Sequence, residues 1–211
     1  MKHHNLERLL ESGVVAVVRK VDRDKVLSVI ASLVKGGVTA IEVTMDSEDA
    51  LSVISEAKEK YGDQAVIGAG TVLDGESAQL AIQAGAEFIF APTLSEQTIK
   101  VANRYGKIVI PGVFTPTEIL QAYEWGADLV KVFPASVLGP QFIKDLQGPL
   151  GHIPMMPTGG LTLDNVEGYM NAGAVAAGIG GSLLNKTYIK NAEWDKLTDL
   201  ARQFVSKCKR T

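Results

Sequence analysis

The chain has few of the residues that bind metal ions or form disulfides. One cysteine, Cys208, and three histidines occur in 211 residues. A single cysteine cannot form an intrachain disulfide, and its presence fits a reducing cytoplasm. His3 and His4 stand at the start of the chain, and His152 precedes a late apolar segment. This spacing does not predict a zinc site, and we expect no bound metal.

The chain also lacks a basic stripe and an apolar run of membrane-spanning length. Its formal net charge is −3 and its lysines are scattered, which disfavours nucleic acid as a partner. Residues 1–11 are polar, and their leucines predict a short amphipathic helix, not a signal peptide. We therefore expect a cytoplasmic protein with a small-molecule partner and no membrane segment.

Glycines recur along the chain at intervals of 20 to 25 residues, each followed by a short apolar segment rich in β-branched residues. The recurring glycines are Gly13, Gly37, Gly62, Gly85, Gly106, Gly126, Gly151 and Gly173. Segments 14–19, 40–45 and 108–114 are examples of the predicted buried strands. Apolar residues at helical spacing precede most of the glycines, as expected for helices that end at a glycine cap.

This repeat predicts eight strand-and-helix units in one domain that covers residues 1–211. Because the periods are nearly equal, we expect an α/β fold of the (β/α)₈ TIM-barrel type, preceded by the short N-terminal helix. A doubly wound open sheet is the structural alternative. The lack of a GxGxxG motif after the first predicted strand disfavours it.

Two ionisable residues interrupt apolar strand segments and are the main candidates for chemistry. Lys131 lies within Leu129–Pro134, and Glu42 lies between Ile41 and Val43. Burial disfavours the charged form of a lysine, and a neutral amine can attack a carbonyl carbon to form a Schiff base. A nearby carboxylate could move protons during such a reaction. A structural ion pair between the two residues would produce the same pattern, and the residues alone leave both interpretations open.

Arg19 and two glycine turns are candidates for binding anions. Arg19 ends the first predicted strand, where its planar group of donors could hold a carboxylate; it could equally be a solvated residue at a strand end. Segments 157–160 and 178–182 follow the seventh and eighth predicted strands, where barrels commonly bind phosphate. Tight turns also require glycine, so each turn by itself is a weak signal.

Together these motifs resemble those of the 2-keto-3-deoxy-6-phosphogluconate and 4-hydroxy-2-oxoglutarate aldolases, and the resemblance covers nearly the whole chain. The matching motifs are Gly36-Gly37 with Ile41-Glu42-Val43-Thr44, Gly68-Ala69-Gly70-Thr71-Val72, Pro111-Gly112-Val113, Lys131-Val132-Phe133-Pro134, Pro157-Thr158-Gly159-Gly160 and Ile179-Gly180-Gly181-Ser182. The resemblance implies a class I aldolase that needs no cofactor, forms a homotrimer and releases pyruvate from a 2-keto acid.

The resemblance also implies roles for individual residues. Lys131 corresponds to the Schiff-base lysine and Glu42 to the general acid and base. The other implied substrate-binding residues are Arg19, Thr71, Pro92, Phe133, Thr158, Gly159, Gly160, Gly180, Gly181 and Ser182. Many family members have an arginine two residues after Glu-Val-Thr that holds the carboxylate, whereas this chain has Asp46 there. Arg19 is the expected replacement.

Several functions remain open on this basis. The expected substrate is 2-keto-3-deoxy-6-phosphogluconate, which would yield pyruvate and glyceraldehyde 3-phosphate. A 4-hydroxy-2-oxoglutarate aldolase and an aldolase for the galactonate epimer are alternatives within the same class. A phosphate-binding barrel isomerase or synthase, or a sugar-phosphate binder without catalysis, is an alternative from another class. The lysine before Phe133-Pro134 disfavours the isomerase or synthase.

Overall fold

The computed structural model describes residues 2–209, which alternate between parallel strands and helices. The strands are β1 (Val14–Val18), β2 (Ala40–Thr44), β3 (Val66–Gly70), β4 (Phe88–Phe90), β5 (Ile108–Ile110), β6 (Gly112–Val113), β7 (Val130–Val132), β8 (Met155–Pro157) and β9 (Ala177–Ile179). The helices are α1 (Lys2–Glu11), α2 (Val26–Lys35), α3 (Ala50–Tyr61), α4 (Gly75–Gln83), α5 (Glu96–Arg104), α6 (Pro116–Glu124), α7 (Ala135–Leu150, interrupted at Gly139), α8 (Val166–Asn171), α9 (Lys186–Lys190) and α10 (Trp194–Cys208).

The strands form two parallel sheets. Six strands pair in the order β5-β4-β3-β2-β1-β9, and three pair in the order β6-β7-β8. The prediction of an α/β fold with parallel strands is thus confirmed. The strands do not form one continuous eight-stranded sheet, so that finer detail of the prediction is not shown.

Pro111 divides the predicted strand 108–114 into β5 and β6. Proline has no N–H to donate to a neighbouring strand, which accounts for the break in the ladder. The backbone at and after Pro111 nevertheless still pairs with the segment that contains β7. Lys131 N donates to Pro111 O at 2.8 Å, and Phe133 N donates to Val113 O at 3.1 Å. On the other side, Thr158 forms an isolated parallel bridge with Gly178. One bridge after β8 thus links the small sheet to β9, and on the other side the chain runs directly from β5 into β6.

Side chains that alternate along the strands form two separate apolar clusters. The larger cluster packs the sheets against the helices and includes Val14, Ala16 and Val18 of β1. The smaller one lies on the other face of the strands and consists of Leu9, Val15, Val17, Ala40, Val66, Phe88, Phe90, Ile108, Ile110, Leu129, Met156 and Ala176. Because side chains on a strand alternate between faces, these two clusters define an outer and an inner side of the sheets.

The recurring glycines mostly end helices, as the repeat predicts. Six of them have positive φ, namely Gly13, Gly37, Gly85, Gly106, Gly126 and Gly173. Gly62 and Gly151 instead have right-handed backbone angles. After the glycine turn at 157–160, helix α8 begins only at Val166, and the Asn165 side chain accepts from Thr162 N in the turn before it.

Helix α1 is attached to the amino-terminal side of the strands. Asn5 Nδ2 donates to Glu87 Oε1 at 2.8 Å, and Lys58 Nζ lies 2.8 Å from Glu87 Oε2. Met1, which the sequence places in the same helix, lies outside the described residues. At the other end of the chain, the free thiol of Cys208 packs in the core, and this burial raises its pKa to about 12. Within residues 2–209 no helix has the length and apolarity to cross a membrane.

Candidate active site

The predicted catalytic pair lies on the inner side of the strands. Glu42 is two residues after Ala40 on β2, and Lys131 is two residues after Leu129, so each shares a face with a member of the inner apolar cluster. Glu42 is 1% exposed and Lys131 is 4% exposed. The fold therefore removes one negative and one positive group from water on the same side of the sheets.

Burial gives Glu42 unusual acid–base properties. It raises the pKa of the carboxyl group to about 8, although the charges of Lys131 and Arg19 act in the opposite direction. Glu42 Oε2 has no hydrogen-bond partner among residues 2–209. Gly70, which pairs with Thr44 at the end of the neighbouring strand β3, makes room for the carboxyl group, because a Cβ atom there would lie 2.5 Å from Glu42 Oε1. A carboxyl group with a pKa near neutrality can both accept and donate a proton under physiological conditions.

Lys131 is surrounded mainly by aromatic carbon. Its Nζ atom lies 4.2 Å from the centre of the Phe90 ring and 4.6 Å from that of Phe133. Burial lowers the pKa of Lys131, the positive charge of Arg19 lowers it further, and the attraction of Glu42 acts against both. This environment increases the fraction of neutral amine, which is the form that attacks a carbonyl carbon.

Arg19 directly follows β1 and is held from two sides. Its Nη1 donates to Asp46 Oδ2 at 3.1 Å, and its Nη2 donates to Thr71 Oγ1 at 2.7 Å. Partial burial would raise the pKa of Asp46, but a hydrogen bond from Thr44 and the charge of Arg19 outweigh it, so the pKa is lowered. The ionised Asp46 thus orients the guanidinium group beside Thr71.

A cavity of about 460 Å³ connects most of the remaining candidates. Its lining includes Arg19, Pro92, Lys131, Phe133, Thr158, Gly159, Gly160, Gly180, Gly181 and Ser182. These residues lie within or just after the carboxyl ends of different strands, which is where parallel α/β barrels place their chemistry. Glu42 and Thr71 do not line this cavity directly. Glu42 interacts with the cavity-lining residues through its electrostatic attraction to Lys131, and Thr71 does so by accepting a hydrogen bond from Arg19.

The two predicted glycine turns lie at one end of this cavity. Gly159 and Gly160 have φ values of 93° and 76°, which a residue with a Cβ atom rarely adopts. A Cβ atom at Gly181 would meet no other atom within 4 Å, so the backbone there is open. Ser182 Oγ donates to Leu161 O at 2.5 Å. To donate to a bound anion, this hydroxyl group must leave Leu161.

Sequence reasoning missed several residues of this region. Phe90 was not predicted to contact Lys131. It lies two residues after Phe88 on β4, so both rings point to the inner side of the strands. Val17, Thr162 and Gly178 also line the cavity. Gly178 allows Thr158 to fit, because a Cβ atom there would overlap Thr158 Oγ1. Among residues 2–209, no three histidine, cysteine, aspartate or glutamate side chains cluster as metal ligands.

The chain is similar to known aldolases over most of its length. The model of the KDPG and KHG aldolase family matches residues 6–200. The 2-dehydro-3-deoxy-6-phosphogalactonate aldolase of Escherichia coli strain K12 is 35% identical over 170 residues, which are 80% of this chain and 83% of that protein. The 2-dehydro-3-deoxy-phosphogluconate aldolase of Haemophilus influenzae is 33% identical over 201 residues, covering 95% of this chain and 94% of the relative.

Two solved structures are similar in fold and contain relevant ligands. The KDPG aldolase of Legionella pneumophila, with pyruvate captured as a covalent carbinolamine intermediate, has a TM-score of 0.86 at 26% identity and covers 92% of this chain and 95% of its own. The aldolase of Zymomonas mobilis ZM4 with 3-phosphoglycerate has a TM-score of 0.85 at 28% identity and covers 98% and 97%. The chain belongs to the KDPG and KHG aldolase family of carbon–carbon lyases.

Proposed function

We propose that this aldolase cleaves 2-keto-3-deoxy-6-phosphogluconate to pyruvate and glyceraldehyde 3-phosphate through a Schiff base at Lys131. The observation that carries the proposal is the burial of Lys131 beside two aromatic rings, together with its electrostatic attraction to the buried Glu42. The carbinolamine in the Legionella structure supports it, because this species precedes an imine between an amine and pyruvate.

The reaction begins when the neutral Nζ atom of Lys131 attacks the C2 carbonyl carbon of the substrate. Loss of water gives an iminium ion, which accepts electrons as the C3–C4 bond breaks. A base removes the proton of the C4 hydroxyl group, and the aldehyde leaves. Pyruvate remains attached as an enamine. Protonation at C3 restores the iminium ion, and hydrolysis then releases pyruvate and Lys131.

Glu42 is the proposed proton carrier in these steps. Its pKa of about 8 lets it take a proton in one step and return it in a later one. Thr71 and Arg19 are proposed to bind the C1 carboxylate, and Pro92 and Phe133 to contact the reacting carbons. The apolar contacts exclude water from the enamine, which favours its controlled protonation.

The phosphate group is proposed to bind at the glycine turns. The turn after β8 contains Thr158, Gly159 and Gly160, and the turn after β9 contains Gly180, Gly181 and Ser182. Open backbone amides at such turns can donate to phosphate oxygens. The 3-phosphoglycerate in the Zymomonas structure supports a phosphorylated ligand for the family. The 35% identical galactonate relative makes the galactonate epimer the second candidate substrate.

We also propose that residues 1–211 form one domain with a closed eight-stranded barrel, in which β5 and β6 act as a single strand. The hydrogen bonds from β7 to Pro111 and Val113 and the bridge between Thr158 and Gly178 support closure.

A homotrimer is the proposed assembly. It would cover apolar side chains that α4, α6 and the turns before them leave exposed, namely Leu73, Leu80, Phe114, Leu120 and Tyr123.

Lys131 should be the residue that borohydride traps with pyruvate. After incubation and reduction, mass spectrometry of the digested protein should locate the addition on the peptide that contains Lys131. Lys131→Ala should give no adduct, whereas Lys144→Ala, which removes an exposed lysine, should retain it. An adduct on another lysine in the wild-type protein would contradict the proposed mechanism.

Glu42→Gln should lower kcat/KM by roughly 10²- to 10⁴-fold, the usual contribution of a general base. A base works only after losing its proton, so in the wild-type enzyme kcat/KM should rise with pH until about pH 8, the pKa of Glu42. This rising part of the pH–rate profile reflects the coupled titration of Glu42 and Lys131. It should disappear in Glu42→Gln and persist in the control Glu124→Gln. Identical pH–rate profiles for wild type and Glu42→Gln would exclude Glu42 as the base.

Arg19→Ala should lower kcat/KM about tenfold to a hundredfold, because charge-assisted hydrogen bonds to a carboxylate contribute about 1.5–3 kcal/mol. Arg19→Lys should recover only part of this loss, since it cannot form a two-pronged contact. The melting temperature should stay close to that of the wild type. Arg104→Ala is the control for loss of a positive charge elsewhere. Wild-type kinetics in Arg19→Ala would show that another group binds the substrate carboxylate.

Gly181→Val should weaken the preference for phosphorylated substrate. A Cβ atom fits at Gly181 without contacts, so the fold should tolerate the change while the side chain crowds the phosphate position. The ratio of kcat/KM for the phosphorylated and unphosphorylated keto-deoxy acids should fall roughly tenfold to a hundredfold. Gly168→Val, also at an open position, should leave the ratio unchanged. A wild-type ratio near one would instead favour 4-hydroxy-2-oxoglutarate as the substrate.

A further inference from the structure

A second cleft, surrounded by lysines, lies beside the reaction cavity and shares Arg19 with it. The cleft has a volume of about 340 Å³ and is formed by the turn after β1, the start of α2 and the helix α9. Its charged lining consists of Arg19, Lys20, Lys25, Lys186, Lys190 and one carboxylate, Asp22. We refer to it as the lysine cleft.

The positive charges of the lysine cleft are only partly balanced. Lys25 Nζ is 3.5 Å from Asp22 Oδ2, and Lys20 Nζ is 3.4 Å from Asp46 Oδ2, which Arg19 also contacts. Lys186 and Lys190 form no ion pair with any carboxylate in the described part of the chain. The α9 side of the cleft therefore carries two ammonium groups that have no counter-ion within residues 2–209.

The shape of the cleft adds to the effect of its charge. Val21, Leu184 and Ile189 supply apolar surface between the lysines. Walls of low dielectric constant concentrate the field of charged groups in a concave site and raise the local concentration of counter-ions. Like charges at close range also repel one another, so an anion that bound between them would relieve this repulsion.

We propose that the lysine cleft binds a small diphosphate and that its occupant competes with the keto-acid carboxylate for Arg19. Lysine ammonium groups are compact point charges suited to phosphate oxygens, and two phosphate groups could meet both sides of the cleft together. The competition rests on the proposed function, because it requires Arg19 to hold the substrate carboxylate. Binding at the cleft does not depend on that role.

Isothermal calorimetry with inorganic pyrophosphate tests the binding. The double variant Lys186→Gln/Lys190→Gln is compared with Lys60→Gln/Lys144→Gln, which removes the same charge from exposed lysines that also lack ion pairs within residues 2–209. At physiological salt, where distant charges are screened within about 8 Å, the first variant should bind about fivefold to thirtyfold more weakly than the wild type. The control should bind like the wild type. Equal affinity in both variants would overturn the proposal and place pyrophosphate elsewhere, for example at the glycine turns.

A second titration with ADP distinguishes the source of the diphosphate. Tighter binding of ADP than of pyrophosphate, lost in Lys186→Gln/Lys190→Gln, would identify a nucleotide that also uses the apolar surface of Leu184 and Ile189. Equal affinity, likewise weakened in Lys186→Gln/Lys190→Gln, would identify the diphosphate group alone as the recognised feature. ADP binding that the lysine variant leaves unchanged would place the diphosphate outside the cleft and overturn the proposal.

Inhibition kinetics test the competition for Arg19. In the condensation direction, pyrophosphate should raise the KM for pyruvate without lowering kcat, and this effect should be lost in Lys186→Gln/Lys190→Gln. Inhibition that is noncompetitive with pyruvate would overturn the competition for Arg19. If borohydride trapping at Lys131 fails while calorimetry still detects the cleft, the proposed function fails and the site stands. If trapping succeeds and the lysine variants bind pyrophosphate equally, only the site fails.

Discussion

The electrostatic attraction between two buried groups, Glu42 and Lys131, is the constraint on which the rest of the site depends. Removing either charge from water costs several kcal/mol, and mutual attraction offsets this cost only when the geometry is held. Strands in fixed register provide that rigidity, with Glu42 paired to Gly68 across β3 and Lys131 paired to Met156 across β8. Because neither group is fully compensated, both pKa values move towards neutrality. Groups with pKa values near neutrality can exchange protons at physiological pH, and a neutral lysine can also act as a nucleophile.

The glycines of the strands are needed because the ionisable side chains occupy space that ordinary residues would fill. Gly70 leaves room for the Glu42 carboxyl group, and Gly178 leaves room for the Thr158 hydroxyl group. A Cβ atom at either position would displace the polar atom it faces. Glu42 Oε2 and Thr158 Oγ1 are also buried without a hydrogen-bond partner among the described residues. Buried polar groups of this kind are costly, and they are typical of sites where a substrate supplies the missing partner.

The positions of Lys131 and Glu42 could be predicted from the sequence, because each charged residue interrupts an apolar segment. A lysine or glutamate inside an apolar strand is conspicuous, and strand alternation assigns both to one face. The division of strand 108–114 at Pro111 could have been predicted from the missing N–H group of proline. The direction of the Ser182 hydroxyl group and the bond from Arg19 to Thr71 could not, because residues 52 positions apart meet only through tertiary packing.

Asp46 stands where many family members have an arginine, and its observed partner is the guanidinium group of Arg19. An aspartate in place of an arginine would repel a substrate carboxylate if it stood alone. Here Asp46 accepts from Nη1 of Arg19, so its charge is directed at the guanidinium group and not at the cavity. Arg19 uses one N–H for Asp46 and another for Thr71, and its other N–H donors remain available for an anion. In the proposed binding mode, an oriented arginine after β1 thus compensates for the arginine missing after β2, and the two positions are neighbours because β1 pairs directly with β2. Because Arg19 also lines the lysine cleft, the same proposal places the substrate carboxylate beside that cleft.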